Sequence, residues 1–396
     1  MTSGTSPRVP LPDQETMPPA ATITVRVELG AQGYDIIVGS GLIGRVGEWL
    51  AAPRGARNLL ITDETVAAHY GEACAEGLRR AGWEVTPAVT APGEGSKTLA
   101  HAEQLYETCL DFGLDRGGTI FALGGGVVGD LAGFVAGTFM RGLRFVQVPT
   151  TLLAQVDASV GGKTAVDLSR AKNAVGVFHQ PALVVADVAT LATLPEREFR
   201  SGLAEVVKHA AIADEPMFRY LQTHAAAVLT RGASVLRQLV ARNCQIKAEV
   251  VQADPQESGW RAVLNAGHTV GHALERGAGD WELRHGEAVA YGLIAETQVG
   301  ERLGVSEPGL AAEIGGVLRA LGLAEGAPRM DLCEALAALG HDKKLQAGTL
   351  RLPLVPRLGE VVIRDDVPLS ALGEALAGLA GLAGEDARPT RGVPCS

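Results

Sequence analysis

The chain has 396 residues, which at roughly 150 residues per domain makes room for two domains. With 46% hydrophobic and 20% charged residues it can bury a sizeable core, and that excludes wholesale disorder. The formal charge of −10, the lack of a basic tract and an aromatic content of only 4% exclude nucleic acid or an anionic membrane as the main partner.

Residues 1–21 are proline-rich, hold no apolar core of a signal peptide and read as a disordered leader. The stretches 22–29 and 34–38 read as a hairpin turning at Gly30 and Gly33. Residues 58–62 form an apolar run ending in Asp63, the pattern of a buried parallel strand. A helix is expected over 66–81, a strand over 84–89, a helix over 99–112, and strands over 119–123 and 145–148. This alternation predicts a parallel-sheet, Rossmann-like α/β domain over 22–198. Beyond about Pro195 the texture changes. Helices are expected over 199–213, 217–230, 234–254, 266–276, 286–303, 307–320 and 330–339, followed by a short β pair at 350–355 and 360–363. They predict a mostly α-helical domain over 199–380 and a flexible tail over 381–396. No apolar run reaches the ~18 residues that span a bilayer. The five cysteines are scattered, with no CxxC pair, which suits a reducing cytoplasm.

Residues 123–130, LGGGVVGD, satisfy GxGxxG through Gly124, Gly126 and Gly129, between an expected strand and an expected helix. That is the context in which glycines let a backbone approach a pyrophosphate at a helix N-terminus. No acidic residue follows at the usual distance of ~20 positions, and Asp63 is the better candidate for a ribose. Three polar segments strengthen the ligand reading: Glu94 to Lys97 in a glycine turn, Thr150-Thr151 after a strand, and Asp157 to Lys163, followed by Lys172-Asn173. Lys163 after Gly161-Gly162 suits an anion held by backbone and a point charge.

Metal-ligand candidates lie in the helical half. His268 and His272 are one helical turn apart on one face, and Thr269 replaces the glutamate that a zinc-protease motif requires. His285 opens HGE, and Glu205 lies in AEVVKH. A carboxylate with two histidines is a normal catalytic zinc set. Spacing alone does not choose between His268 and His272, and leaves His209, at i+4 from Glu205, as a further candidate.

The runs GGGVVGDLAGFVAGTFMRG, VPTTLLAQVDASVGGKTAVD, AKNAVGVFHQP, GLAEVVKHA, RAVLNAGHTVGHALE and HGEAVAYGL resemble, in order from about residue 22 to 365, the 3-dehydroquinate synthase family. The resemblance implies zinc, or cobalt, on Glu205, His268 and His285. It implies NAD+ bound by Asp63, Glu94, Lys97, Gly125, Gly126, Val127, Val128, Gly129, Asp130, Thr150, Thr151, Lys172, Thr190, Leu191 and Thr193. Substrate contacts carried over are Asp157, Lys163, Asn173, Lys208, Lys247, Arg261, Asn265, His272 and Lys343 or Lys344. Arg141 matches the arginine that members lend to the neighbouring subunit, which implies a homodimer in the cytoplasm. Ala266 and Val270 stand where bulkier residues are usual.

The implied reaction converts the small sugar phosphate 3-deoxy-D-arabino-heptulosonate 7-phosphate to 3-dehydroquinate and phosphate. It runs by transient oxidation at C5, phosphate elimination, re-reduction, ring opening and aldol closure. Another sugar-phosphate cyclase, a metal-dependent polyol dehydrogenase of the glycerol dehydrogenase type, and a catalytically dead NAD-binding scaffold are the alternatives. Asn265 and the run Asp342-Lys343-Lys344 match the dehydroquinate pattern. Only seven of 35 basic residues are lysine, and Lys97, Lys163, Lys172, Lys208, Lys247, Lys343 and Lys344 all fall in these segments. A compact ammonium with rotatable donors suits hydroxyl and phosphate contacts in a tight site.

Overall fold

The computed structural model describes residues 8–11, 21–53, 55–279, 283–340, 345–346 and 349–381. The chain begins with β1 (Ile23–Val27), β2 (Tyr34–Gly39) and β3 (Arg57–Asp63). Then α1 (Glu64–Val66) runs through a π-helical turn at Ala67–Gly71 into α2 (Glu72–Arg80) and β4 (Glu84–Thr90). Next come α3 (Leu99–Asp111), β5 (Thr119–Gly124), α4 (Gly126–Thr138), β6 (Arg144–Pro149), β7 (Lys163–Leu168), β8 (Ala171–Phe178) and β9 (Leu183–Asp187).

Seven of these strands form one sheet in the order β1-β2-β9-β6-β5-β3-β4, with only the β1–β2 pair antiparallel. Helices cover both faces because alternate residues of each central strand are apolar on opposite sides. Leu59, Ile61, Ile120 and Ala122 pack with Ala102, Leu105, Leu131 and Val135 of α3 and α4. Leu60, Phe121 and Leu123 pack on the other face with Cys74, Ala75 and Leu78 of α2. Trp83 meets Phe121 edge-on at 4.9 Å. Burying each such aliphatic or aromatic side chain contributes about 1.5–3 kcal/mol. From β3 the chain adds β4 on one side and then crosses to β5 on the other. The carboxyl ends of β3 and β5 are therefore a topological switch point, where parallel sheets bind ligands.

The hairpin β7–β8 falls where no strand was expected, around the polar segments at Lys163 and Lys172-Asn173. In β8 Val175 and Val177 alternate toward the core while Ala174, Gly176 and Phe178 are exposed, a short and only half-buried apolar signal. The five residues of β9 are all buried, and the strand lies between β2 and β6 in the sheet.

The helical part holds α5 (Glu196–Ala213), α6 (Glu215–Leu229), α7 (Ala233–Ala253), α8 (His268–Ala278), α9 (His285–Arg302), α10 (Leu310–Ala320) and α11 (Leu332–Gly340). It ends with β10 (Leu345–Gln346), β11 (Thr349–Leu354), β12 (Val362–Pro368) and α12 (Leu369–Gly381). One compact unit comprises the chain to Pro195 together with Arg231–Gln256; the other comprises Glu196–Thr230 and the chain from Glu257. The first unit's N-terminal run ends at Pro195, and α7 departs from a simple two-part division of the chain. It packs against β1 and the π-helical turn Ala154–Ala158, so it belongs with the α/β unit rather than the helical one. Helix α8 starts two residues later than expected, because Gly267 takes a left-handed φ of 80° as its N-cap. Cys74, Cys109 and Cys244 are buried free thiols. Residues 1–7 and 12–20 of the expected leader, residues 382–396 of the expected tail, and Lys343 and Lys344 lie outside the described residues.

Candidate active site

In the α/β unit the expected cofactor residues gather at strand ends. Asp63 closes β3, and its carboxylate accepts a hydrogen bond from Val66 N at 2.9 Å, capping the helix that follows. Gly125 joins β5 to α4 as an N-cap without a side chain, leaving the first-turn amides open to a ligand. Gly125, Gly126 and Val127 are half-buried at this mouth, while Val128 and Gly129 pack inward. A Cβ on Gly129 would lie 2.8 Å from Oε1 of the buried Gln147 on β6, so any side chain there would have to displace Gln147.

Thr150 follows β6 and donates its N–H to Gly124 O at 2.9 Å. Thr151 Oγ1 accepts from Ala154 N at 3.2 Å. Beyond β9, Thr190 Oγ1 donates to Thr150 O (3.2 Å) and Asp187 O (2.8 Å) and receives Gln155 Nε2 (3.2 Å), while Leu191 is fully buried. Thr193 Oγ1 lies 2.6 Å from Tyr70 Oη. Thr190 thus ties the loop after β9 to Thr150 and Asp187, and Tyr70 and Gln155, which sequence reasoning passed over, help hold it.

The charged residues of this unit form a second group. Glu94 opens a 3₁₀ turn over Glu94–Ser96 and is exposed. Lys97, next to it, is 4% exposed. Its Nζ donates to Asp130 Oδ2 at 2.6 Å and to Asn173 Oδ1 at 2.5 Å. Burial pushes the Asp130 carboxyl up against the pull of Lys97. Asn173 sits at φ 53° on the hairpin and donates its N–H to Asp167 Oδ1 at 2.6 Å. Lys163 and Lys172 are exposed at the start of β7 and on β8. Lys247, carried by α7, donates to Asp157 O at 2.5 Å and pairs with its carboxylate at 2.7 Å. Arg141 is exposed at φ 70°, between Met140 at 48° and Gly142 at 118°, a run of left-handed backbone.

In the helical unit three helices converge. A Cβ on Gly292 of α9 would lie 1.9 Å from Gly267 O, so only glycine lets α8 and α9 approach this closely. Gly286 N of α9 donates to Ser201 Oγ of α5 at 3.0 Å. Glu205 (α5), His268 (α8) and His285 (α9) are brought together by these contacts, with donor atoms within 4.8 Å of one another. Both His268 Nε2 and His285 Nε2 stand 3.7 Å from Glu205 Oε1. That is too long for hydrogen bonds and near the ~3.3 Å between ligands each about 2.0 Å from a tetrahedral ion. The Nδ1 atoms face away: His268 Nδ1 lies 3.2 Å from Ala266 O, and His285 Nδ1 2.8 Å from Glu275 Oε1.

Glu205 is 0% exposed and neither carboxylate oxygen meets a hydrogen-bond partner of acceptable geometry, although Lys208 Nζ pairs with Oε2. Burial alone would raise this carboxyl, but Lys208, His285 and His268 hold it well below the usual range. Burial and Lys208 hold His268 well below an ordinary imidazole. Burial works against charge on His285 too, yet the carboxylates of Glu205 and Glu275 outweigh it and raise the group to about 10. A buried carboxylate with two imidazoles aimed at it by Nε2 fits the donor set of a divalent metal.

Around this trio, His272 is exposed, with its ring 5.5 Å from that of His268. Arg261 is 1% exposed in a 3₁₀ turn over Trp260–Asn265, and Asn265 Nδ2 lies 3.5 Å from Glu257 Oε1. His209 is wholly buried on α5. Glu275 was missed by sequence reasoning, although it follows His268 and His272 at i+7 and i+3 on the same helix face.

Two family models match the chain, the N-terminal one of 3-dehydroquinate synthase over residues 87–201 and the C-terminal one over residues 202–345. The chain is 48% identical to the 3-dehydroquinate synthase of Symbiobacterium thermophilum over 358 residues, 89% of this chain and 99% of that one. Among solved structures it resembles the 2-epi-5-epi-valiolone synthase ValA of Streptomyces hygroscopicus, which has NAD+ and Zn2+ bound. That match has a TM-score of 0.79 at 30% identity over 88% of this chain and 97% of that one. It also resembles 2-deoxy-scyllo-inosose synthase complexed with carbaglucose-6-phosphate, NAD+ and Co2+, with a TM-score of 0.83 at 25% identity over 89% and 99%. With both halves matched by one family and nearly half of its aligned residues shared with a member, the chain belongs to the 3-dehydroquinate synthase family.

Proposed function

We propose that this chain is a 3-dehydroquinate synthase, converting 3-deoxy-D-arabino-heptulosonate 7-phosphate to 3-dehydroquinate and phosphate with NAD+ and zinc or cobalt as cofactors. The observation that carries this reading is the buried Glu205 carboxylate faced by His268 Nε2 and His285 Nε2 at 3.7 Å each. When bound, a divalent ion there supplies Lewis-acid polarisation of substrate hydroxyl oxygens, and NAD+ a reversible hydride acceptor.

The chain's own residues position and neutralise. Amides of the loop from Gly125 to Asp130, at the N-terminus of α4, receive the pyrophosphate, and Asp63 the ribose. Glu94, Lys97, Thr150, Thr151, Lys172, Thr190, Leu191 and Thr193 complete that site. Lys208 and Arg261, both about 1% exposed, and Lys247, 6% exposed, act as fixed cations toward phosphate and carboxylate. Lys163 and either Lys343 or Lys344 complete the proposed set of cations. Asp157 fixes the Lys247 ammonium, Asn173 is held by Lys97, and Asn265 and His272 meet substrate hydroxyls. A homodimer in the cytoplasm is part of the proposal: exposed Arg141 on its left-handed backbone suits presentation to a second copy. Among the described residues no helix is long and apolar enough to cross a membrane.

The test is a substrate panel with product identification. Phosphate release from the heptulosonate phosphate is expected to need NAD+ only in catalytic amounts, to stop on chelation and to leave no NADH. Stoichiometric NADH would identify a polyol dehydrogenase instead, and turnover of a different sugar phosphate alone another cyclase.

A further inference from the structure

The two helices that carry the paired histidines each lend the other a carboxylate. From α8, Glu275 Oε1 accepts a hydrogen bond from His285 Nδ1 at 2.8 Å. From α9, Glu296 reaches back to the start of α8, where its two oxygens accept from Gly267 N at 2.6 Å and Val270 N at 3.0 Å. Gly267 is the N-cap of α8 and has no side chain to satisfy the first-turn amides. Glu296, 2% exposed, supplies that cap from the neighbouring helix and sets a negative charge at the positive end of the α8 dipole. His268 is the first residue of α8, so whatever fixes this turn fixes His268. With Nδ1 of His285 engaged by Glu275, only Nε2 is left to face Glu205.

We propose that Glu275 and Glu296 are positioning residues of the metal site. They lock α8 and α9 to each other reciprocally, so that the Nε2 atoms of His268 and His285 converge on Glu205 before a metal arrives. This rests on the metal reading proposed above. Neither carboxylate is assigned to the metal or to the substrate.

The experiment measures zinc affinity of the full chain by chelator competition, the absorption spectrum of the cobalt-substituted protein, and the melting temperature of the metal-free form. Glu275→Ala is expected to weaken zinc binding about 10–100-fold, with an unchanged melting temperature. Glu275→Gln keeps an acceptor without its charge and is expected to weaken it less. Glu296→Gln leaves one first-turn amide unsatisfied and is expected to weaken zinc binding and shift the cobalt spectrum. Glu296 is buried, so its variant can fail by unfolding; the partly exposed Glu275 then decides. A folded Glu275→Ala protein with the parent's zinc affinity would overturn the proposal. So would a stoichiometry falling from two zinc ions to one, which would assign Glu275 to a second cation site with His272 and His285. If the parent chain takes up no metal, or His268→Ala keeps it, the metal reading itself fails.

Discussion

The α/β unit presents its candidate site largely as backbone: amides at the mouth of α4, strand ends at Asp63, Gly124 and Pro149, and glycines that let helix and sheet close up. The helical unit presents side chains instead, with a fully buried carboxylate, two imidazoles and two cations of about 1% exposure on or beside three helices. Backbone amides carry partial charge and suit a large anionic cofactor gripped at many points. A desolvated cluster of full charges is costly unless each member is matched, and a metal matches it. The contrast implies two kinds of fragility: steric crowding should harm the first unit, and loss of one donor atom the second.

The largest effect is expected at the metal trio. His268→Ala should abolish zinc binding and lower turnover by about a thousandfold or more, several kcal/mol of lost polarisation, while NAD+ affinity stays unchanged. His272→Ala should keep the metal and lower kcat/KM. Metal analysis, NAD+ titration and steady-state rates on both variants check this. Loss of NAD+ binding in His268→Ala would break the division of labour between the units.

The legibility of the two units differs for the same reason. The strands β3 and β5 were legible because both faces are buried, which makes each a continuous apolar run closed by Asp63 or by glycine. The glycine loop is contiguous and reads directly. The hairpin β7–β8 was missed, because only two residues of β8, Val175 and Val177, alternate toward the core and they are only half-buried. Helix α7 was legible as a helix but not as a member of the α/β unit, since its partners β1 and Ala154–Ala158 are distant in sequence. For the metal donors, spacing left His268, His272 and His209 open, the family resemblance chose among them, and the fold brought Glu205, His268 and His285 together. Glu296 was invisible. An acidic residue in a helix usually marks a solvated face, and only the packed structure shows it turned inward onto Gly267 and Val270.

A moderate effect is expected from crowding the other unit. Gly129→Val places a branched side chain where a Cβ already lies 2.8 Å from Gln147 Oε1, a buried group on β6. Overpacking of this kind costs about 1–3 kcal/mol, read as lower stability in denaturant unfolding. NAD+ affinity should fall because α4 shifts away from the sheet, while metal content stays that of the parent. Unaltered NAD+ binding would mean that the loop tolerates displacement and that backbone placement is not what grips the cofactor.

The smallest effect separates two roles that meet in one residue. Asp63 caps α1 through Val66 N at 2.9 Å and is also the proposed ribose acceptor. Asparagine caps a helix about as well as aspartate, so Asp63→Asn should leave stability unchanged while weakening NAD+ binding, because a charge-assisted acceptor is replaced by a neutral one. Asp63→Ala removes both functions and should in addition cost about 1 kcal/mol of stability. Melting curves and NAD+ titrations on the pair distinguish the contributions. If the two variants lose NAD+ affinity only in proportion to lost stability, Asp63 acts through the cap alone. The cofactor would then be held in that unit by backbone with no acidic side chain at the end of β3, which is the contrast with the helical unit in its purest form.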